Sequence, residues 1–159
     1  MRLPLEDVTV IDLSHALAGP FCSTMLADFG ARVIKLEPKG AGDIARAWGT
    51  PLPGGETAYF VSLHRNKQGI EVDLKHPRGR ELFFELVERA DVVLENYRTG
   101  ALERLGLAYA EALTKAGNRT TYVCFERQIH GFILMGKVLD EANTAVHLCA
   151  AALRDALQG

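Results

Sequence analysis

The stretch Val8–Pro38, VTVIDLSHALAGPFCSTMLADFGARVIKLEP, decides the fold, because it reads as a strand, a short loop, a helix and a second strand. Val8, Val10, Ile11 and Leu13 make an apolar run too short for a helix and suited to a strand covered on both faces, as in a parallel sheet. Ser14 to Pro20 then supplies the breakers, and Pro20 suits a first helical turn, where its missing N–H would be unpaired anyway. Phe21, Met25 and Phe29 recur every four residues and predict an apolar stripe laid on the sheet, with Cys22 beside them as a small buried hydrophobe. Gly30 stops the helix where a left-handed residue is needed, and Arg32–Leu36 returns as a second apolar strand. A right-handed βαβ unit follows, and such units collect ligands outside the carboxyl ends of their strands. That places Ser14–Gly19, and Glu37 onward, at a binding edge.

Beyond this unit the pattern repeats. Lys39–Glu56 is a long glycine- and proline-rich excursion carrying Trp48, and loops of this length in compact domains tend to be functional or mobile. Ala58–Leu63 is apolar enough to pack back on the domain. Asn66–Gly69 reads as a turn, and Ile70–Leu74 alternates with period two as a half-buried strand. Pro77 starts a helix with Leu82, Phe83, Leu86 and Val87 on its apolar side, and Asp91–Asn96 is the next strand. Thr99 can cap a short helix running to Arg104. Asn96 and Arg98 therefore project at the same carboxyl edge as His15. Further on, Tyr109–Lys115 reads as helix, Thr120–Phe125 as strand, and Glu141–Leu157 as an Ala-rich helix. The expected architecture is an α/β fold: a Rossmann-like parallel sheet with flanking helices over residues 1–116, and a tail over 117–159 packed on the same domain.

With 159 residues, 48% hydrophobic and 24% charged, the chain has enough apolar surface for one globular core. A net charge of −2 excludes general nucleic-acid binding by electrostatics, so an anionic ligand would need a local cluster of basic groups. Three widely spaced cysteines without a CxxC pair suggest neither a disulfide framework nor a zinc site, and point to a reducing, cytoplasmic setting. His130 and His147 lack partners at metal spacing, so no metal is expected. No apolar run approaches the roughly 18 residues of a membrane span.

A set of phrases in one order carries a resemblance: VTVIDLS-H-xLAGPFC, LADFGARVIKLEP, GAGDIAR, the NK of NKQGIEVDLK, and PRGRELFFELVERADVVLENYRTGALERLGL. From about Pro4 to Leu113 the chain resembles the class III CoA-transferases, which include formyl-CoA transferase and α-methylacyl-CoA racemase. The resemblance implies a Rossmann-like domain binding coenzyme A, within a homodimer of interlocked chains, acting on an acyl-CoA and a small carboxylic acid. It implies an aspartate nucleophile that takes CoA through an aspartyl-CoA (or glutamyl-CoA) thioester. By position, His15, Val72, Lys75, Asn96 and Arg104 match places where the family contacts CoA. Pro38 departs from the arginine that some members carry near the nucleotide, and Lys39 is the available substitute.

The charges suit the ligand: Lys75, Arg98 and Arg104 can meet the diphosphate and 3′-phosphate of CoA, with helix N-termini adding amide donors. No GxGxxG follows the first strand, which disfavours an NAD-type dinucleotide, and Glu37 reads as structural rather than as a ribose ligand. The tail lacks the family's glycine-rich loops. The resemblance puts the nucleophile at Asp140, with Glu141 as the adjacent alternative. Two other readings stand beside transfer: a non-catalytic CoA- or nucleotide-binding module or assembly fragment, and a racemase-type member using acid and base groups at the α-carbon.

Overall fold

The computed structural model describes residues 2–98 and 101–104, with single positions at 117, 144 and 147. Its elements run β1 (Thr9–Asp12), α1 (Ala18–Asp28), β2 (Arg32–Pro38), a 3₁₀ turn (Ile44–Ala47), α2 (Ala58–Ser62), β3 (Lys67–Val72), α3 (Pro77–Val87), β4 (Val92–Leu94) and α4 (Ala101–Arg104). The strands form a four-stranded sheet in the order β3-β2-β1-β4, and every pairing is parallel. The sequence-based α/β expectation is met, and the first strand is buried as expected.

Strand periodicity divides the core between the two faces of this sheet. Val10 and Val33 join Leu5, Ala27 and Ala31 on the side covered by α1. Ile11, Leu13, Ile34, Leu36 and Val72 join Phe83 and Val87 of α3 and Leu102 of α4 on the other side. With helices on both faces, the strands read as apolar runs.

Helix α1 reverses one expectation. Phe21, Met25 and Phe29 are 53%, 46% and 52% exposed, and Cys22 is also exposed; the buried face is Gly19, Pro20, Ser23, Thr24 and Ala27. The cause is distance: a Cβ on Gly19 would stand 2.2 Å from Ser14 Cβ, so α1 approaches the strand end closely enough to admit only small residues. Ser23 and Thr24 also have work inside, where Thr24 Oγ1 donates to the carbonyls of Pro20 (2.8 Å) and Leu63 (2.5 Å). Gly30 takes the left-handed conformation expected of it, with φ of 103°.

β3 begins three residues earlier than its alternation suggests. Within Asn66–Gly69 Asn66 alone is left-handed, at φ of 62°, and Lys67 is already paired with Val33 in the ladder. In α3, Phe83 and Val87 are buried as expected, but Leu82 is 39% exposed. His76 caps this helix by accepting from the Arg78 N–H, and Pro77 occupies the first turn. The chain divides into two compact units, residues 1–120 and 121–159, and the first holds the described sheet.

Candidate functional site

Register places charge where apolar residues would be expected. Asp12 and Lys35 are direct partners in the β1–β2 ladder, and Lys35 pairs with Gly69 on β3. Residues 33, 35 and 37 share one face, so Lys35 and Glu37 continue the α1 side of the sheet past its apolar floor. Lys67, opposite Val33, lies on the same side. The side chains of Lys35 and Lys67 are each 2% exposed, and those of Asp12 and Asp43 not at all. Buried charges must be paired and hydrogen-bonded, and these are.

Lys67 Nζ donates to Ser23 Oγ at 2.7 Å and the Pro20 carbonyl at 2.8 Å, and lies 3.3 Å from Asp12 Oδ2. Lys35 Nζ donates to the Ser14 carbonyl and stands 3.1 Å from Asp43 Oδ2. Burial works against both carboxylates, but each is held below the ordinary range. For Asp12, Lys35, the hydroxyls of Ser14 and Ser23, and Lys67 outweigh it; for Asp43, the Ala45 amide, Lys35 and the Ala16 amide do. Burial pushes the Lys67 ammonium down, with Asp12 opposing. His64, stacked on Phe60 with centroids 4.1 Å apart, is pushed down to about 4 by burial and by Lys67 and Lys35.

Above this cluster, Ser14–Ala16 forms the lip of the carboxyl edge. The Ser14 N–H donates to Asp12 Oδ1 at 2.9 Å. Asn96, following β4, accepts from the His15 N–H and donates back to the His15 carbonyl, both at 2.8 Å. His15 Nε2 lies 2.7 Å from the Tyr97 hydroxyl, with the two rings edge to face. Burial and Lys35 lower the His15 pKa, and burial with Glu95 pushes Tyr97 up to about 12, so both are neutral near pH 7.

A second part of the edge lies after β3. A cleft of about 430 Å³ is lined by Lys39, Val72, Asp73, His76, Arg78 and Gly79 among others. Beside it α3 starts against the strand end: a Cβ on Gly79 would stand 2.0 Å from the Asp73 carbonyl oxygen. Lys75 is exposed beside it, its N–H donating to Asp73 Oδ1 and its carbonyl accepting from Arg80.

The expected site residues thus fall into two groups. His15 and Asn96 are bonded to each other, Val72 lines the cleft with Lys39, and Lys75 stands at the start of the loop into α3. Arg104 closes α4, and its side chain, like Asp140 and Glu141 as a whole, lies outside the described residues. Glu37 is structural: Arg46 grips it through two hydrogen bonds of 2.7 and 2.8 Å, reaches Glu56 at 2.7 Å, and lies 3.8 Å over the Phe60 ring. Sequence reasoning missed Lys35, Asp43, His64, Lys67 and Tyr97. The available signal was a lysine within the apolar run of β2, where an unpaired charge could not remain.

Among the described residues no group of three His, Cys, Asp or Glu is placed to hold a metal ion, and no helix is long and apolar enough to cross a membrane.

Residues 5–119 match the model of CoA-transferase family III. The chain is 51% identical over 108 residues to a succinyl-CoA--D-citramalate CoA-transferase of Chloroflexus aurantiacus, covering 68% of this chain and 27% of that one. It is 45% identical over 119 residues to an acetyl-CoA:oxalate CoA-transferase of Acetobacter aceti, covering 75% of this chain and 30% of that one. The crystal structure of a CAIB/BAIF family protein from Brucella suis superposes with a TM-score of 0.67 at 40% identity, covering 73% of this chain and 31% of that one. The chain therefore spans between a quarter and a third of the length of these relatives.

Proposed function

The chain belongs to CoA-transferase family III, and from that premise we propose that it forms the CoA-binding α/β portion of an enzyme moving CoA from an acyl-CoA to a small carboxylic acid. The observation that carries this reading is the family match over residues 5–119, which includes both parts of the carboxyl edge: the His15–Asn96 lip and the cleft beside Val72. His15, Val72, Lys75, Asn96 and Arg104 are the proposed CoA-binding residues, with Lys39 taking the place of the arginine absent at Pro38. Lys39 and Arg78 bring cations to a cleft that Glu71 and Asp73 also line, Arg78 being paired with Glu81 at 2.8 Å, and His76 lies between strand and helix there.

The chemistry belongs to the carboxylate. It attacks the thioester carbonyl, the C–S bond breaks, and CoA leaves as thiolate while a mixed anhydride forms. The thiolate attacks the enzyme's own carbonyl in that anhydride, releasing the first acid and leaving CoA on the enzyme as a thioester. An acceptor carboxylate then reverses both steps, and the enzyme's carboxylate is regenerated. Asp140 is the proposed nucleophile, with Glu141 adjacent. A homodimer and a cytoplasmic setting complete the proposal.

The test is calorimetric titration of the chain with CoA and short acyl-CoAs, repeated on a Lys75→Ala, Arg104→Ala variant. Binding that weakens tenfold or more in the variant is expected. A covalent CoA adduct, seen by mass spectrometry and lost in Asp140→Ala, would assign the nucleophile. A folded chain that takes up neither CoA nor acyl-CoA overturns the reading.

A further inference from the structure

Every backbone polar group at the lip that the structure pairs is paired with a side chain, and apart from Asp12 these side chains come from other segments. Asp12 takes the Ser14 N–H, Lys35 the Ser14 carbonyl, and Asn96 both polar groups of His15. The Ala16 N–H donates to Asp43 Oδ1 at 3.1 Å. Ala16 has φ of 67°, a conformation that favours glycine and that alanine holds only where its surroundings impose it. The peptide entering it is held on both sides, the His15 carbonyl by Asn96 and the Ala16 amide by Asp43.

Asp43 is built for such a role. It lies on the glycine-rich excursion, yet its side chain is fully buried. Oδ1 also accepts from the Ala45 N–H at 2.9 Å, tying the lip to the 3₁₀ turn through one oxygen. The Asp43 N–H is itself held by Glu37 Oε2 at 2.8 Å, so the Glu37–Arg46 pair sets the excursion's course. Oδ2 has no hydrogen-bond partner; it faces Lys35 Nζ at 3.1 Å, His15 Nδ1 at 3.8 Å and His64 Nε2 at 3.9 Å. A negative oxygen on the Nδ1 side of His15 favours the tautomer with hydrogen on Nδ1. Nε2 is then left to accept from the Tyr97 hydroxyl at 2.7 Å. Both ring nitrogens of His15 are thereby directed inward.

We propose that Asp43, neutralised by Lys35, is the positioning residue of the CoA-binding edge: it holds Ala16 in its left-handed turn and orients the His15 ring as a strut against Tyr97. This rests on the CoA-binding reading above. It changes the part played by His15, whose ring braces the lip while the loop's shape meets the ligand. A cation at Asp43 Oδ2 would face the Lys35 ammonium at the same oxygen, so the cluster serves geometry and not metal binding.

The test separates positioning from stability by removing the buried pair as a unit. In an Asp43→Leu, Lys35→Met variant no buried charge is stranded, because Lys67 still faces Asp12, so a fold of near wild-type melting temperature is attainable, but Ala16 loses its acceptor and the Ser14 carbonyl its Lys35 donor. We expect amide exchange at Ala16 to accelerate at least a hundredfold in the ligand-free chain, and the Kd for CoA to rise at least tenfold. A folded variant with unchanged Ala16 exchange, or with CoA affinity within twofold of wild type, overturns the proposal. Nitrogen-15 chemical shifts of the wild-type imidazoles give a measurement that needs no variant: His15 is expected as the Nδ1–H tautomer, and the Nε2–H tautomer overturns the proposal. If the wild-type chain takes up no CoA, the functional reading fails by itself, and Ala16 exchange with the His15 tautomer still decides the positioning role.

Discussion

His64 shows how one residue ties the buried cluster to solution behaviour. Its side chain is 6% exposed and its pKa is pushed down to about 4, against about 6.5 in an unfolded chain. Between these values the unfolded state binds the extra proton and the native state does not, so stability rises with pH through the window from about 4 to 6.5 and is at its full value above it. At about 1.4 kcal/mol per pKa unit, the loss on acidification is of order 3 kcal/mol. His15, also lowered, adds in the same direction. Asp12, Glu37 and Asp43 have lowered native pKa values, so their stabilisation is lost only as pH falls below the ordinary carboxylate range, beneath this window. Urea unfolding from pH 4.5 to 7.5 should therefore show a rising midpoint that His64→Phe, which keeps the stack on Phe60, flattens. An unchanged slope in the variant would mean His64 titrates normally. The same cluster predicts that Lys35→Met alone, which strands Asp43 as a buried charge while Asp12 keeps Lys67, costs about 3–5 kcal/mol; a cost under 1 kcal/mol in denaturant melts would count against the pairing.

At the scale of elements, two close approaches set the edge. Adding a methyl group at Gly79 drives α3 against the Asp73 carbonyl, a rigid backbone neighbour, so Gly79→Ala should destabilise by about 1–3 kcal/mol as overpacking does. It should also distort the cleft and weaken CoA binding; a variant as stable as the wild type would show that α3 moves freely. Helix α1 supplies the opposite case. With Phe21 half exposed, Phe21→Ser should change unfolding free energy by less than about 0.5 kcal/mol. A loss of 2 kcal/mol or more would put Phe21 in contact with other parts of the protein. These helices also mark how far the sequence could be read. The βαβ order, Pro20, Gly30 and Pro77 were legible because they follow from local chain chemistry. The face of α1 was not: periodicity favoured Phe21, Met25 and Phe29, and the distance from Gly19 to Ser14 decided for the small residues instead. Of the site, His15 and Asn96 were legible as strand-end polar residues. Lys35, Asp43 and Lys67 were not, because their meaning lies in a ladder register and an excursion that brings residue 43 back onto residue 35.

At the scale of the whole molecule, the two parts of the edge lie apart along the described sheet, the cleft at the end of β3 and the lip at the ends of β1 and β4. Val72 ends β3 and Asn96 follows β4, with β2 and β1 between them. Strand spacings of nearly 5 Å put β3 about 14 Å from β4 and about 10 Å from β1, whose end carries residues 14–16. A ligand that engages both must be extended, as CoA is, with its phosphates at one end and its thiol at the other. The chain's net charge of −2 offers no general attraction to that polyanion, so the proposed capture of CoA rests on local cations such as Lys39 and Arg78. Two outcomes should accompany binding. Affinity should fall as salt rises from 50 to 500 mM, because these exposed charges are screened over about 10 Å or less at and above 0.1 M. Hydrogen exchange should slow in two separate segments, residues 14–19 and 72–79, on addition of CoA. Adenosine bisphosphate, which lacks the pantetheine arm, should protect one segment only. Protection by CoA confined to a single segment would mean that the ligand does not cross the sheet edge, and the lip and the cleft would then serve different molecules.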